Sequence, residues 1–355
     1  MQLYTNLKIF HYQDKLDSLP READRVEAPI HIRIKPTNGC NHSCSYCAYR
    51  NPELQLGQDM SIADRIPTLK MKEIVADCID MGVKAVTFSG GGEPLCYPQL
   101  SATARDLAEG GVSIATLTNG GLLRDEIAEI FSSMGTWIRI SMDGWDGPSY
   151  SRFRSVPEDE FSKVMDNIKN FKKLNGKCFL GVSYIINRDN ADHVYEMGSK
   201  LKDAGVDSIK FSPCVVSNDG HENNRYHAPV FGKIKEQTQR AKEDLHDKEC
   251  EIFDAYHELD EKFGKPYTWC PNLQIQPVIG ADQRVYTCHD KAYNLDSGVL
   301  GSIAEQSFKD FWQGNPDKFY KINPGRDCKH HCVANRTNKL IHEYLNVNPD
   351  HLPFV

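Results

Sequence analysis

An α/β fold, a partial (β/α)6 barrel with a small cysteine-rich domain behind it, is predicted by three features of this 355-residue chain. Short β-like runs alternate with helical stretches from residue 30 to residue 215, six strands in all. Five of the helical stretches stop at or beside glycine, the usual C-terminal break of a helix. The polar, glycine-rich and cysteine-rich stretches all follow the C-terminal ends of β-like runs. Successive βα units imply a parallel sheet wound through right-handed crossovers. An open sheet and a partial barrel both satisfy that rhythm. Chemistry gathered at one end of the strands favours the barrel, of the TIM type, whose active sites occupy that face.

The first strand is "IHIRIKP", which alternates at period two. "LKMKEIVADCIDMG" carries apolar residues at helical spacing and stops at Gly82. "KAVTFSG" and "YPQLSATARDLAEGG" are the next strand and helix, and "VSIATLTN" and "LRDEIAEIFSSMG" the third pair. "TWIRISMDG" and "EDEFSKVMDNIKNFKKLNG" follow, then "FLGVSYIIN" and "ADHVYEMGSKLKDAG". "SIKFSP" is the sixth strand. Beyond residue 215 the rhythm stops. "VSNDGHENNRYHAP" reads as a loop in which Asn218, Asp219, His221 and Asn224 are solvated. The charged run to residue 264 reads as one or two helices of a connector, and "NLQIQPVIGADQRVYTCHD" as a hairpin turning at "GADQ". The expected division is an N-terminal extension (1–29), the barrel (30–215), a helical connector (216–268), a cysteine-rich domain (269–335) and a tail (336–355).

A net charge of -7 makes nucleic acid and anionic membrane poor partners. No apolar run approaches the length of a spanning helix, and the N-terminus lacks the apolar core of a secretory signal, so a cytoplasmic location is expected. Twelve cysteines in a reducing compartment then point to metal or redox chemistry rather than disulfides. They fall into a triplet (Cys40, Cys44, Cys47), a late group of four (Cys270, Cys288, Cys328, Cys332) and five isolated residues. An isolated cysteine is ordinarily a small buried hydrophobe.

The triplet has the spacing C-x3-C-x2-C, and thiolates select zinc or iron–sulfur clusters. A structural zinc site takes four ligands, so three thiols in one loop suit a cluster with one open iron; a zinc knuckle completed by His42 is the alternative. "CNHSCSYC", with Tyr46 before the last cysteine, resembles the signature of the radical S-adenosylmethionine (radical SAM) superfamily. "FSGGGEPL" after the second strand resembles that family's GGEP motif: Gly91 and Gly92 allow close backbone approach, and Glu93 offers an acceptor to a ligand ammonium. "TNGG" with Asn119 and "SMDG" with Ser141 and Asp143 resemble its ribose and methionine contacts. Arg154 stands where related enzymes carry an arginine for the SAM carboxylate, with Arg152 as a competitor. Ile185 in "GVSYIIN" resembles part of the apolar adenine shelf. The resemblance covers residues 30 to 215 and implies a [4Fe–4S] cluster on the three cysteines. SAM sits on its open iron, and an external one-electron reductant such as flavodoxin or ferredoxin drives cleavage to a 5′-deoxyadenosyl radical. That radical removes hydrogen from an unactivated C–H bond.

The late cysteines resemble the auxiliary-cluster modules called SPASM or, when shortened, twitch. Four of them imply a second, fully ligated [4Fe–4S] cluster, although C-x3-C replaces the more usual C-x2-C at its end. Structural zinc using His330 or His331 is the alternative. A second cluster suits a reaction that disposes of an electron, so the expected activity is oxidation of an alcohol in a small sugar- or cyclitol-like substrate. An epimerase using Cys214 as hydrogen-atom donor is the first rival, because "SPC" closes the last barrel strand. A peptide-modifying maturase is the second; the 29 residues before the first strand are too few for a leader-binding domain.

Overall fold

The computed structural model describes residues 4–257 and 263–354. Seven strands, β1 (His31–Ile34), β2 (Ala85–Phe88), β3 (Ser113–Thr118), β4 (Trp137–Met142), β5 (Phe179–Ile186), β6 (Ser208–Pro213) and β7 (Glu251–Asp254), lie parallel in chain order. β8 (Val278–Ile279) adds to the free side of β1, also parallel, and β9 (Arg284–Tyr286) and β10 (Val299–Ser302) continue antiparallel. The helices are α1 (Gln13–Asp17), α2 (Thr68–Asp80), α3 (Leu100–Glu109), α4 (Asp125–Met134), α5 (Gly147–Arg154), α6 (Asp159–Lys173) and α7 (Val194–Asp203). After them come α8 (Gly220–His227), α9 (Phe231–Leu245), α10 (Asn272–Ile275), α11 (Phe308–Gln313), α12 (Pro324–Asp327) and α13 (Asn335–Leu345). The fold is the partial βα barrel with a cysteine-rich C-terminal region.

Strand alternation explains why the barrel has two different faces. Ile32, Ile34, Val86, Phe88, Ile138, Ile140, Leu180, Val182, Ile209 and Phe211 are buried in one core with Ile74, Leu107, Phe131, Ile168 and Leu201 of the covering helices. Each such side chain contributes roughly 1.5–3 kcal/mol on burial. The intervening residues point the other way. His31, Arg33, Thr87, Arg139, Ser141, Ser183, Lys210 and Ser212 make that concave side polar, as the His31–Thr87 (2.7 Å) and Ser183–Ser212 (3.4 Å) contacts between neighbouring strands show.

Three elements differ from the sequence expectation. The connector is not wholly helical: Glu251–Asp254 is the parallel strand β7, paired with β6. Four residues with a single buried apolar side chain, Ile252, are too few to show a period inside a charged run. The stretch expected as a loop after residue 215 contains α8, whose N-terminus is capped by Asp219 accepting from the His221 amide at 2.7 Å. Its polar composition on every side concealed the helical period. The first part of the hairpin, "NLQI", is the helical turn α10, and only the "GADQ" half is a β-hairpin. That hairpin joins the barrel sheet through β8, so one sheet runs through both cysteine groups' neighbourhoods.

The N-terminal segment is docked rather than appended. Ile9, Leu16 and Leu19 pack with Ile341 of α13, and the Tyr4 hydroxyl accepts from Arg139 at 2.5 Å on the concave side. No helix among the described residues is long and apolar enough to cross a membrane.

Candidate active site

The triplet loop follows β1 and is pinned on three sides. The amides of Ser43 and Ser45 donate to the Arg154 and Phe153 carbonyls of α5, both at 2.9 Å. The Asn119 amide nitrogen donates to Asn41 at 2.7 Å, and His42 Nε2 meets Glu160 of α6 at 3.1 Å. His42 is therefore engaged away from the thiols, against the zinc-knuckle alternative, and burial lowers its pKa. The His42 amide donates to Cys40 Sγ at 3.4 Å, an N–H···S bond of the kind that tunes a cluster. Burial raises the Cys40 pKa and pushes Cys44 up to about 11, so metal binding must release their protons.

The glycine-rich loop uses its glycines against the protein itself. A Cβ on Gly91 would lie 2.4 Å from Asn38 Oδ1 and from Met60 Sδ, and one on Gly92 would lie 2.1 Å from the Gly39 carbonyl oxygen. The close approach expected for a cofactor is instead to the stem of the cysteine loop, reinforced by the Glu93 amide donating to Gly39 O at 3.0 Å. Glu93 also departs from its expected use. One carboxylate oxygen accepts from Thr118 (2.6 Å) and the Leu95 amide (3.0 Å), the other from the Asn119 amide (2.7 Å). It braces the loop after β3 rather than standing free for a ligand ammonium. Glu93→Gln turns one acceptor into a donor against an N–H or O–H; the expected outcome is a loss of roughly 1–3 kcal/mol in urea unfolding. The SAM KM is expected to rise while iron content stays unchanged.

At the end of β4, Arg154 is buried and donates through Nε to Asp143 at 2.9 Å and through a terminal nitrogen to Ser141 O at 2.8 Å. Its positive charge lies near enough to Cys44 to favour the thiolate. Arg152 is exposed and lies over Phe153, so of the two arginines only Arg154 enters the site. Asn190, which sequence reasoning missed within "NRDN", ties the ends of β4 and β5 together by donating to Asp143 O and Ile185 O, both at 2.8 Å. Asp143 Oδ2, the Tyr46 hydroxyl, Ser89 Oγ and Asn38 Oδ1 are buried without a partner among the described residues. Unpaired buried polar atoms are costly, and a polar ligand such as SAM is what this set fits.

The late cysteines converge. Cys270, Cys288, Cys328 and Cys332 line one cavity, and the thiols raise one another's pKa on top of burial. The Asn338 side-chain amide donates to Cys270 Sγ at 3.3 Å. The ligand atoms of Cys288, Asp290 and His330 lie within 4.8 Å of one another. A bridge joins the two cysteine groups: Tyr49, two residues past Cys47, meets His289 Nδ1 at 3.2 Å, and Lys35 contacts both, with its ammonium also donating to Gly90 O at 3.2 Å. These residues are up to 254 positions apart, so no local pattern marks them. Cys214 is buried with its thiol hydrogen-bonded to Tyr226 of α8 and its pKa pushed up to about 12, chiefly by burial.

A βα barrel with a three-thiol loop at its strand ends and a four-thiol cavity beside its first strand offers two candidate metal sites. Residues 34–201 match the family model described as the Radical SAM superfamily, so the chain carries a radical SAM domain. Beyond the matched residues the C-terminal region carries the four late cysteines. The sporulation killing factor maturation protein SkfB of Bacillus subtilis is 26% identical over 311 residues, 86% of this chain and 69% of that protein. The AdoMet-dependent heme synthase of Methanosarcina barkeri is 24% identical over 59% of this chain and 57% of its own length. Among solved structures, SuiB of Streptococcus suis bound to the precursor peptide SuiA has a TM-score of 0.63 at 14% identity, covering 89% of this chain and 71% of SuiB. The enzyme anSMEcpe with AdoMet and the Cp18Cys peptide has a TM-score of 0.60 at 20% identity, covering 89% and 96%. At these identities the structural likeness speaks for the fold.

Proposed function

We propose that this enzyme oxidises an alcohol carbon of a small hydroxylated substrate, and that the observation carrying the proposal is the convergence of all four late thiols on one cavity. In this reading Cys40, Cys44 and Cys47 hold the SAM-binding cluster. Tyr46, Ser141, Asp143, Arg154 and Ile185 surround SAM, with Gly91, Gly92, Glu93 and Asn119 shaping the loops behind it. Cys270, Cys288, Cys328 and Cys332 hold the second cluster, leaving no iron open to substrate. When bound, the first cluster and SAM supply a 5′-deoxyadenosyl radical and the second cluster accepts an electron. The substrate loses one hydrogen atom from carbon and one proton from oxygen, and gives up one electron, to become a ketone. The polar concave side suits a hydroxylated molecule. Residues 30–215 are the unit that binds SAM, 216–268 the connector and 269–335 the unit that holds the second cluster. A flavodoxin or ferredoxin is the proposed electron donor.

A peptide substrate is the second reading, favoured by the similarity to the maturation protein SkfB over 86% of this chain. Turnover on panels of cyclitols and amino sugars against short peptides, in deuterated water, separates the readings. Alcohol oxidation yields one 5′-deoxyadenosine per ketone with no deuterium at the carbon; turnover confined to peptides sinks the small-molecule proposal. For the epimerase rival, Cys214→Ala is expected to leave turnover within about twofold, because the thiol is tied to Tyr226 and absent from the lining of the concave cavity. Abolished turnover with solvent deuterium in the wild-type product would reverse that ranking.

A further inference from the structure

We propose that the concave side of the barrel contains a subsite for an anionic group of the substrate, a carboxylate or a phosphate, centred on Arg33. The inference rests on the small-molecule reading above for its occupant. A cavity of about 500 Å³ opens on this side, a volume suited to a sugar-sized molecule. Its lining includes four cationic side chains, Lys8, Arg33, Lys210 and Arg336, and one carboxylate, Asp254. Asp254 is already engaged: its Oδ2 meets His257 Nδ1 at 2.6 Å and Lys242 Nζ at 3.8 Å. Among the described residues the lining therefore carries more cationic than anionic side chains.

Arg33 carries the argument. It sits on β1 with Nε shielded from solvent and without a hydrogen-bond partner among the described residues, and Asp290 lies within reach of its charge. A guanidinium stays charged at any physiological pH and is costly to shield unpaired. An anion with two oxygens matches its fork and removes that cost. Arg139 of β4 is held by the hydroxyl of Tyr4, itself part of the lining, and also keeps an unpartnered buried Nε. The cavity has Cys332 at its border, and Lys35, two residues beyond Arg33 and just past the end of β1, reaches the loops of both cysteine groups. An anion seated on Arg33 thus anchors one end of a substrate whose other end extends toward the strand C-terminal ends. The rival role for Arg33 is counter-charge to the Asp290 carboxylate and the Cys288 thiolate, which its positive charge also reaches.

The test is calorimetric titration of the reconstituted holoprotein, at low salt, with inorganic pyrophosphate and with glutarate as probes. The variants are Arg33→Gln, Arg33→Lys and, as a control remote from the cavity, Arg105→Gln. Binding of either probe that weakens about tenfold or more in Arg33→Gln, less in Arg33→Lys and not at all in Arg105→Gln supports the subsite. Pyrophosphate alone binding assigns a phosphate, and glutarate alone a carboxylate. No binding of either probe overturns it, as does equal affinity in Arg33→Gln with a shifted potential of the second cluster. Reductive SAM cleavage by the same preparation keeps the two proposals apart. Cleavage without anion binding defeats the subsite only, and anion binding without cleavage defeats the function only.

Discussion

Cys44→Ala is expected to abolish reductive SAM cleavage, lowering 5′-deoxyadenosine formation by at least about 10³-fold under dithionite, with the fold retained by circular dichroism. The size of the effect follows from ligand number. In the proposed reading three thiolates leave one iron for SAM, so the loss of one removes a ligand that no neighbour replaces. His42, the nearest imidazole in sequence, is held by Glu160, and the loop is fixed on α5 by two hydrogen bonds from the Ser43 and Ser45 backbone N–H groups to the Arg154 and Phe153 carbonyls. Cys44 is also the member of the triplet on which the Arg154 charge acts. The control is Cys96→Ala. Cys96 lies beside Asn41, 3.8 Å from its side-chain oxygen, and is expected to keep cleavage within about twofold. Cleavage persisting in Cys44→Ala would remove the triplet from the mechanism.

The second large effect separates SAM cleavage from product formation. Cys288→Ala is expected to cut oxidised product by at least about 10²-fold while SAM cleavage stays within a few-fold of wild type. Cys288 is half-buried, stands on the segment following β9 and lines the cavity with the other three thiols, so its loss empties one corner of the proposed four-ligand set. The triplet is untouched except through the Lys35–Tyr49–His289 contacts, which belong to neighbouring side chains. Product formation and cleavage falling together would mean that the second site supports the fold rather than the reaction. Asn338→Ala provides a graded companion: it removes the donor to Cys270 Sγ and is expected to shift the second cluster's potential without loss of iron.

What the sequence made legible follows from where the information is local. The six strands appear because two-residue and helical periods are written in consecutive residues, and Gly82, Gly111 and Gly205 lie in the left-handed region just beyond their helices, a conformation glycine adopts without strain. β7 did not appear because four residues inside a charged run carry no period. The cysteine groups were legible as spacings. Their bridge was not, because Lys35, Tyr49 and His289 meet only after β8 joins β1. Glu93 shows a subtler limit. The motif marks the residue, but only the structure gives its partners, and these are Thr118, Leu95 and Asn119. Arg33 was invisible for a related reason: a cation in a strand means little until the face it occupies is known.

The central claim is that the two cysteine groups hold two separate clusters, one open to SAM and one closed. Iron, sulfide and zinc content after anaerobic reconstitution tests it most directly, on wild type and on a variant with Cys40, Cys44 and Cys47 all changed to alanine. The account predicts about eight irons per chain in wild type and about four in the variant, with the remaining cluster reducible by dithionite. About four irons with one tightly bound zinc in wild type, or no iron in the variant, would contradict it.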